Sequence, residues 1–385
     1  MAPRPRVLFV VNAEWYFVSH RLPLAEALHR RGYDVAVAAA EERRLGHRIT
    51  EAGLRFIPIP VRRASLSIAA DLRLLIALLR LYRRERPVLV HHVTIKPILY
   101  GALAAWMTGV PAVVNAVPGR GYVFGAQQGW RRWLRLPVLA LYRFACRGAR
   151  VRTIFQNEDD RDYFVGRGLA ERSRTALIRG AGVNLRDFAR SDEPDGVPQV
   201  VLASRLLWDK GVAEFVDAIR IVRSRGISCG AIIAGVPDDS NPNRVPVERL
   251  ADWHKSGVIE WMGLCGDMPE LLRRSAVVCL PSYYPEGVPK VLLEGAASGR
   301  PLVATDTPGC RDVVIDGVNG RLVPARNATA LADALAELLQ DAGLRRRYGH
   351  ASRRLAEDHF GEDLVIGQTL AVYGELAPLP AEGAC

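Results

Sequence analysis

The stretch Ser191-Asp-Glu-Pro-Asp-Gly-Val-Pro198 interrupts an otherwise regular alternation along the chain. It is polar, rich in proline and glycine, and has no apolar period, so it reads as a connection rather than an element. Before it, β-branched runs at Arg6–Val11, Val35–Ala39, Arg55–Ile59 and Val88–His91 alternate with amphipathic stretches at Leu22–Arg31, Arg43–Ala52 and Ile68–Arg84. After it, the runs Gln199–Ala203, Ala231–Ala234, Val258–Met262, Val277–Leu280, Pro301–Ala304 and Gly320–Val323 repeat the pattern. Strands separated by helices predict parallel βαβ units, and the break predicts two α/β halves of similar size. We therefore expect a first domain over 1–190, a linker at 191–198, a second domain over 199–360, and a terminal helix and tail over 361–385. Three helices, Ala328–Gln340, Leu344–Asp358 and Asp363–Leu376, follow the last strand, and the pattern leaves open which half they cover.

The length of 385 residues suits two or three domains at about 150 residues each. With 49% hydrophobic and 24% charged residues the composition is that of a globular protein, which excludes disorder and low complexity. The net charge of +11 is unevenly spread. Residues 1–185 hold 30 basic and 13 acidic side chains, a net of +17, and residues 186–385 hold 22 and 28, a net of −6. The two halves therefore suit different partners. Only four of the basic residues are lysines: Lys96, Lys210, Lys255 and Lys290. A GC-rich genome that drifts toward arginine and alanine accounts for that bias, and such a chain can still keep lysine where a compact ammonium is required.

The six cysteines form no C-x-x-C pair and have no histidine at metal spacing, so they read as buried apolar residues of a reducing compartment. The N-terminus runs straight into an apolar strand without the charged and long apolar regions of a leader. No uninterrupted apolar run reaches the roughly 18 residues a membrane span needs. A cytoplasmic protein, peripheral at the inner face of the membrane, is expected. A dinucleotide-binding fingerprint is absent: the turn after the first strand, Val10-Val-Asn-Ala-Glu-Trp-Tyr-Phe-Val-Ser-His20, has no glycine.

Two patterns carry chemistry. Glu286-Gly-Val-Pro-Lys-Val-Leu-Leu-Glu294 follows a strand and the turn Pro281-Ser-Tyr-Tyr-Pro285. Pro289 suits a first helical turn, which predicts Glu286 just before a helix and Glu294 about two turns inside it. The amides of Gly287 and Val288 would then face an anion at the positive helix end. In Ala203-Ser-Arg205-Leu-Leu-Trp-Asp-Lys210-Gly211, Arg205 offers a fork and Lys210 a point charge, which together suit a diphosphate.

Arg205 and Lys210, followed some 75 residues later by Glu286 and Glu294, resemble glycosyltransferase family 4. The likeness extends to Gly180-Ala-Gly-Val-Asn184, to Gly263-Leu-Cys-Gly-Asp-Met-Pro-Glu270 and to Thr307-Pro-Gly-Cys-Arg-Asp-Val-Val314. It implies the GT-B fold, two Rossmann-like doubly wound α/β domains facing across a cleft. It also implies retention of anomeric configuration, with no cofactor and no metal. The resemblance assigns Arg205 and Lys210 to the nucleotide diphosphate and Glu286, Gly287 and Val288 to the donor sugar and phosphate. Glu294 is assigned to the ribose, with Gly263 and Leu264 near the base. Arg205, Lys210 and Glu286 are the implied catalytic residues.

Ser19-His-Arg-Leu-Pro-Leu24, Arg63-Ala-Ser-Leu66, Thr94-Ile-Lys-Pro97 and Gly119-Arg-Gly-Tyr-Val-Phe124 resemble the bacterial branch that extends undecaprenyl-diphosphate-linked saccharides, N-acetylgalactosaminyltransferases acting on diacetylbacillosaminyl-diphospho-undecaprenol among them. That branch implies a nucleotide-sugar donor and a polyprenyl-diphosphate acceptor bound by the N-terminal domain. His20, Arg21, His91, His92, Lys96, Arg120 and Tyr122 are its candidate cleft residues. The first loop lacks the family's usual glycines, and His91-His92 stands where many members have H-x-H.

Residues 86–157 contain ten basic and no acidic side chains. Within them Trp130-Arg-Arg-Trp-Leu-Arg-Leu-Pro-Val-Leu-Ala-Leu-Tyr-Arg-Phe-Ala-Cys-Arg147 is aromatic, apolar and arginine-rich, as is Leu72–Arg84. Such helices suit an anionic membrane surface, or equally a Rossmann layer with a solvated arginine face. No nucleic-acid recognition motif accompanies the charge, so nucleic acid is not an expected partner. A nucleotide-sugar epimerase of the same fold, and a silent sugar-nucleotide-binding protein, remain open alternatives.

Overall fold

The computed structural model describes residues 4–63, 67–119, 131–239, 241–284 and 286–377, without the side chains of 131–135. The chain folds as two compact units, Met1–Ala181 with Asp363–Cys385, and Gly182–Glu362.

Among the described residues the first unit holds a seven-stranded sheet. Its strands are β1 (Arg6–Ala13), β2 (Asp34–Ala40), β3 (Arg55–Pro58), β4 (Leu89–Val93), β5 (Ala112–Val117), β6 (Val151–Phe155) and β7 (Thr175–Leu177). All pairs are parallel, in the order β3-β2-β1-β4-β5-β6-β7. Helices cover both faces, which is why β1 is buried over five consecutive residues instead of alternating. Val7, Phe9 and Val11 pack with Leu24 and Leu28 of helix Leu22–Arg30 and with Val365, Leu370 and Tyr373 of helix Glu362–Gly374. Leu8 and Val10 meet Leu74, Leu78, Leu81 and Tyr82 of helix Ile68–Glu85 on the other face. Each such buried side chain contributes about 1.5–3 kcal/mol relative to exposure.

The second unit holds six described strands: β8 (Gln199–Ala203), β9 (Gly230–Ala234), β10 (Glu260–Gly263), β11 (Val277–Leu280), β12 (Leu302–Thr305) and β13 (Gly320–Val323). They too are parallel, in the order β10-β9-β8-β11-β12-β13. Each sheet reverses strand order once, between β1 and β4 and between β8 and β11. The carboxyl ends of those strands open the crevice where doubly wound sheets bind ligands.

The division between units differs from the expected one. The first crossing falls at Ala181–Gly182, between Gly180 and Gly182, both at positive φ. Val183 pairs with Phe360 and Glu362 through backbone bonds of 2.9 and 3.0 Å, so the outgoing and returning stretches of chain lie side by side. The stretch 191–198 lies inside the second unit. Buried Arg300 donates to Ser191 Oγ at 2.6 Å, and buried Arg345 donates to Glu193 Oε2 at 2.8 Å. Two guanidiniums without those acceptors would be costly to bury, so the polar stretch is docked. The helices Ala328–Gln340 and Ala342–His359 belong to the second unit and Glu362–Gly374 almost wholly to the first.

Among the described residues no helix is long and apolar enough to cross a membrane. The described cysteines are unpaired, with Cys146, Cys229, Cys279 and Cys310 buried and Cys265 partly exposed.

Candidate active site

The loop Ser204–Gly211 leaves β8 at the reversal point of the second sheet. Backbone bonds from Ser204 to Ala234 (3.1 Å), Leu206 to Val236 (3.1 Å) and Val245 to Leu206 (2.9 Å) fix its course beside β9. It ends at Gly211, whose φ of +75° starts helix Val212–Ser224. A Cβ at Gly211 would overlap the carbonyl of Pro281, so only glycine allows this loop to reach the turn after β11. That turn is tied back: Tyr283 N–H donates to the Asp209 carbonyl at 3.0 Å and Ser282 Oγ donates to the same oxygen at 3.2 Å.

These ties bring Lys210 and Glu286 together. Lys210 Nζ stands 2.5 Å from Glu286 Oε2, with both side chains largely buried. Arg205 Nη1 donates to Asp238 Oδ2 at 3.0 Å; the guanidinium is about a third exposed and the carboxylate buried. The two cations expected to await a diphosphate are thus each held by a carboxylate. Asp209 is a third carboxylate in the cluster. Burial pushes its carboxyl up, Lys210 and the Asn243 amide pull it down, and Glu286 pushes up again.

The second motif is seated by close backbone approach. A Cβ at Gly309, whose φ is +82°, would collide with the Gly287 carbonyl, so the 307–314 loop lies directly on Glu286 and Gly287. Cys310 on that loop is pushed up to about 12, chiefly by burial and further by the Glu286 charge, and stays a thiol. Val288 is buried. Helix Lys290–Ala297 begins one residue after Pro289, which occupies the cap position in place of the first turn. Glu294 consequently lies just over one turn inside, and Gly287 and Val288 precede the helix. The Glu294 carboxylate is buried and pairs with Lys290 Nζ at 3.3 Å. Burial raises its carboxyl and the lysine opposes that rise.

Gly263 ends β10 at φ +69°, and its carbonyl accepts from Gly235 N–H at 2.7 Å. Leu264 beyond it is an apolar side chain that keeps 69% of its surface exposed. Among the described residues no group of three His, Cys, Asp or Glu could hold a metal ion.

In the first unit Arg21 and His91 stand within reach of each other's charge, while His92 and Lys96 are held by partners of their own. His91 and His92 are not strand-end residues: both are wholly buried inside β4, since that strand runs on to Val93. His92 is clamped, with Tyr82 Oη 2.8 Å from Nε2 and Asn115 Oδ1 3.0 Å from Nδ1. Asn115 donates in turn to the Ala145 carbonyl at 2.8 Å. Burial lowers His92 to about 4, against a small rise from Asn115. His91 stacks on Phe9 and meets Tyr373 Oη through Nδ1 at 2.5 Å. Burial, then Arg21, then His92 hold it well below the usual histidine range. Arg21 is also buried. His20 stacks on Tyr16 at 4.1 Å between ring centres. Lys96 Nζ binds Asp71 Oδ1 at 2.7 Å, and Tyr100 Oη donates to Asp71 Oδ2 at 2.8 Å. Arg120 and Tyr122 lie outside the described residues. Asp209, Asp238 and Tyr373 are site neighbours that sequence reasoning missed.

Comparison with known proteins accounts for both units. A family model described as glycosyl transferases group 1 matches residues 184–355, and one described as glycosyl transferase 4-like matches residues 6–158. An N,N'-diacetylbacillosaminyl-diphospho-undecaprenol alpha-1,3-N-acetylgalactosaminyltransferase of Campylobacter jejuni is 27% identical, over 96% of this chain and 98% of the relative. A UDP-Gal:alpha-D-GlcNAc-diphosphoundecaprenol alpha-1,3-galactosyltransferase of Escherichia coli is 23% identical over 82% of each. In structure, the Anabaena protein HepE in complex with UDP superposes with a TM-score of 0.77 at 18% identity, over 96% of this chain and all of that one. With the family models matching both units and the fold shared along nearly the whole chain, this protein belongs to the family 4 glycosyltransferases of the GT-B fold.

Proposed function

We propose that the chain transfers an N-acetylhexosamine from its UDP-sugar to an undecaprenyl-diphosphate-linked saccharide in surface polysaccharide assembly, with retention and without a metal. The observation that carries this reading is the Lys210–Glu286 pair, seated at the reversal point of the second sheet. A donor diphosphate entering there exchanges one anion for another on Lys210. The freed Glu286 then takes donor-sugar hydroxyls. Arg205 and Lys210 neutralise the charge that grows on the departing diphosphate, the place where electrostatic stabilisation acts most strongly on rate. Glu294 takes the ribose hydroxyls and Leu264 lies against the base.

The acceptor assignment rests on the named activities of the Campylobacter and Escherichia relatives. A membrane site for the reaction is supported by one surface of the first unit. Helices Ile68–Glu85, Ile95–Thr108 and Arg131–Ala145 pack side by side. Ile68, Leu72 and Ile76 are exposed at a spacing of four residues, and Trp106 packs edge-on against Phe144, both open to solvent. Exposed Arg73, Arg80, Arg83, Arg143 and Arg147 stand on or just beyond the same helices. Apolar side chains bordered by arginine suit the headgroup region of an anionic bilayer, on the cytoplasmic side where such lipids concentrate.

The test is incubation with individual UDP-sugars and lipid extracted from the native membrane, read by mass spectrometry. Mass gain on a polyprenyl-diphosphate saccharide is expected, and its absence with every donor refutes the reading. Conversion of a UDP-sugar without lipid indicates an epimerase. Replacing Arg73, Arg80 and Arg83 by glutamine should weaken binding to anionic vesicles and spare UDP binding; unchanged vesicle binding refutes the membrane surface.

A further inference from the structure

Arg21 joins helix Glu14–His20 to helix Leu22–Arg30 in the first unit, and only 3% of its surface is exposed. Among the described residues no carboxylate or other acceptor bonds its guanidinium, and its Nε is sealed without a partner. Glu14, the buried carboxylate nearest in sequence, already accepts the amides of Glu42 and Arg43. A buried cation without a counter-ion is a costly arrangement, and among the described residues the other buried guanidiniums, Arg300 and Arg345, have their acceptors.

A second unpartnered group stands near it. His91 is wholly buried and its Nε2 bonds nothing. The Arg21 amide bonds the Phe17 carbonyl at 2.8 Å, Phe17 packs edge-on against Phe9, and Phe9 stacks on His91, so the Arg21 charge opposes protonation of His91 and acts on the Tyr373 phenol. Nδ1 of His91 is the one partner of the Tyr373 hydroxyl among the described residues. With Tyr373 O–H donating to Nδ1 the phenol is satisfied and the ring proton resides on Nε2. The opposite tautomer leaves both the phenol proton and Nε2 without partners, so the first is favoured. Nε2–H is then a donor lacking an acceptor, as is Arg21. At the carboxyl ends of the adjacent strands β1 and β4, Asn12 Oδ1 and Thr94 Oγ1 are also buried without partners.

We propose that Arg21 and His91 form a phosphate hook, taking an oxyanion of the acceptor's diphosphate while Asn12 and Thr94 take hydroxyls of the attached sugar. This rests on the function proposed above. The nucleotide diphosphate has its own cations in Arg205 and Lys210, and a lipid diphosphate is the second anion the reaction brings. Thr94 supports the placement: it holds φ +76°, a strained value for a β-branched residue, at the reversal point of the sheet.

The test titrates geranylgeranyl diphosphate, as a short lipid diphosphate, into the UDP-saturated protein by calorimetry. Arg21→Met should weaken this binding by about 10–100-fold, the loss of a charge-assisted bond, with UDP affinity within twofold of wild type. Its unfolding midpoint should rise, because an uncompensated buried charge is gone. Unchanged lipid-diphosphate affinity overturns the hook, a loss of UDP affinity assigns the anion to the nucleotide and overturns it too, and a lowered midpoint makes Arg21 a structural residue. Should Arg21→Met fail to fold, Arg21→Lys keeps the charge without the fork and is expected to lose at least fivefold; wild-type affinity there overturns the hook. Wild-type protein that binds no UDP refutes the sugar-nucleotide reading alone, since the lipid-diphosphate titration is then run without UDP.

Discussion

Glu286→Gln keeps the shape of the donor site and removes the charge that holds Lys210. At 2.5 Å and an effective dielectric near 20, the pair attracts by about 6–7 kcal/mol before desolvation is counted. Both side chains are largely buried, and several kcal/mol of desolvation per ion offsets most of that attraction. A charged hydrogen bond nets about 1.5–3 kcal/mol, which is the competition UDP meets on Lys210. Asp209, whose charge also interacts with Lys210, remains in the variant, so the lower end applies. UDP, which has no sugar for Glu286 to hold, should therefore bind Glu286→Gln about tenfold more tightly, or about 1.4 kcal/mol. Sugar transfer should move the other way. A glutamine accepts a sugar hydroxyl less strongly than a carboxylate, and a fall of about 100-fold in kcat is expected. Calorimetry with UDP and transfer of labelled sugar to the lipid acceptor read the two effects separately. Equal or weaker UDP binding by the variant refutes the exchange of Glu286 for phosphate, and unchanged transfer refutes its contact with the donor sugar.

Arg205→Ala and Lys210→Ala should each lower kcat/KM by about 2–4 kcal/mol of transition-state stabilisation, measured in the same assay; near-wild-type turnover in either removes the diphosphate assignment. Gly211→Ala places a Cβ against the Pro281 carbonyl at positive φ, so it should cost about 2 kcal/mol or more and lower the unfolding midpoint by about 4–8 °C, with weakened UDP binding. His92 is held near 4 when folded and returns to about 6.5 when unfolded, so the unfolded chain binds the extra proton. Its contribution is complete above about pH 6.5 and is lost as pH falls toward 4, about 2 kcal/mol of it by pH 5. Urea unfolding at pH 7.5 and 5 should show that loss in the wild type and less of it in His92→Gln; an identical pH dependence refutes the neutral buried histidine.

The alternation of strands and helices is legible because both sheets are parallel and covered on two faces, so their strands appear as plain apolar runs. The division into units is harder to read. Ser191–Pro198 has a linker's composition, yet it is fixed by Arg300 and Arg345, more than a hundred residues away, and composition carries no sign of such donors. The true crossing lies in Gly180-Ala-Gly182, where two positive φ values mark it, and the terminal helix crosses back because Val365, Leu370 and Tyr373 complete the core around β1. At the site, Arg205, Lys210 and Glu286 are legible from spacing, and their ion pairs are not. Asp238 sits on a loop after β9 with no motif of its own, and its role follows only from the Gly235 approach to Ser204. In sequence, His91 and His92 look like the end of a strand because polar residues usually stop an apolar run. Here the strand continues, since Tyr373, Tyr82 and Asn115 supply partners for both rings.

The two reversal points solve one electrostatic problem in opposite ways. In the second unit Arg205 and Lys210 each already hold a carboxylate, so phosphate binding is an exchange and adds little uncompensated charge to the empty site. Three of the four lysines follow that rule, Lys96 with Asp71, Lys210 with Glu286 and Lys290 with Glu294. The basic excess of the first half therefore does not mark every anion site, because the strongest one proposed lies in the acidic half. Arg21 departs from the rule. A guanidinium buried without a carboxylate holds its full charge for an incoming anion, so affinity there is gained at the expense of stability in the empty protein. An exchanged cation should bind its anion more tightly once the competing acid is removed, as in Glu286→Gln. An unexchanged cation has no such competitor, and its removal should leave a more stable protein that no longer holds its anion, which is the signature sought in Arg21→Met.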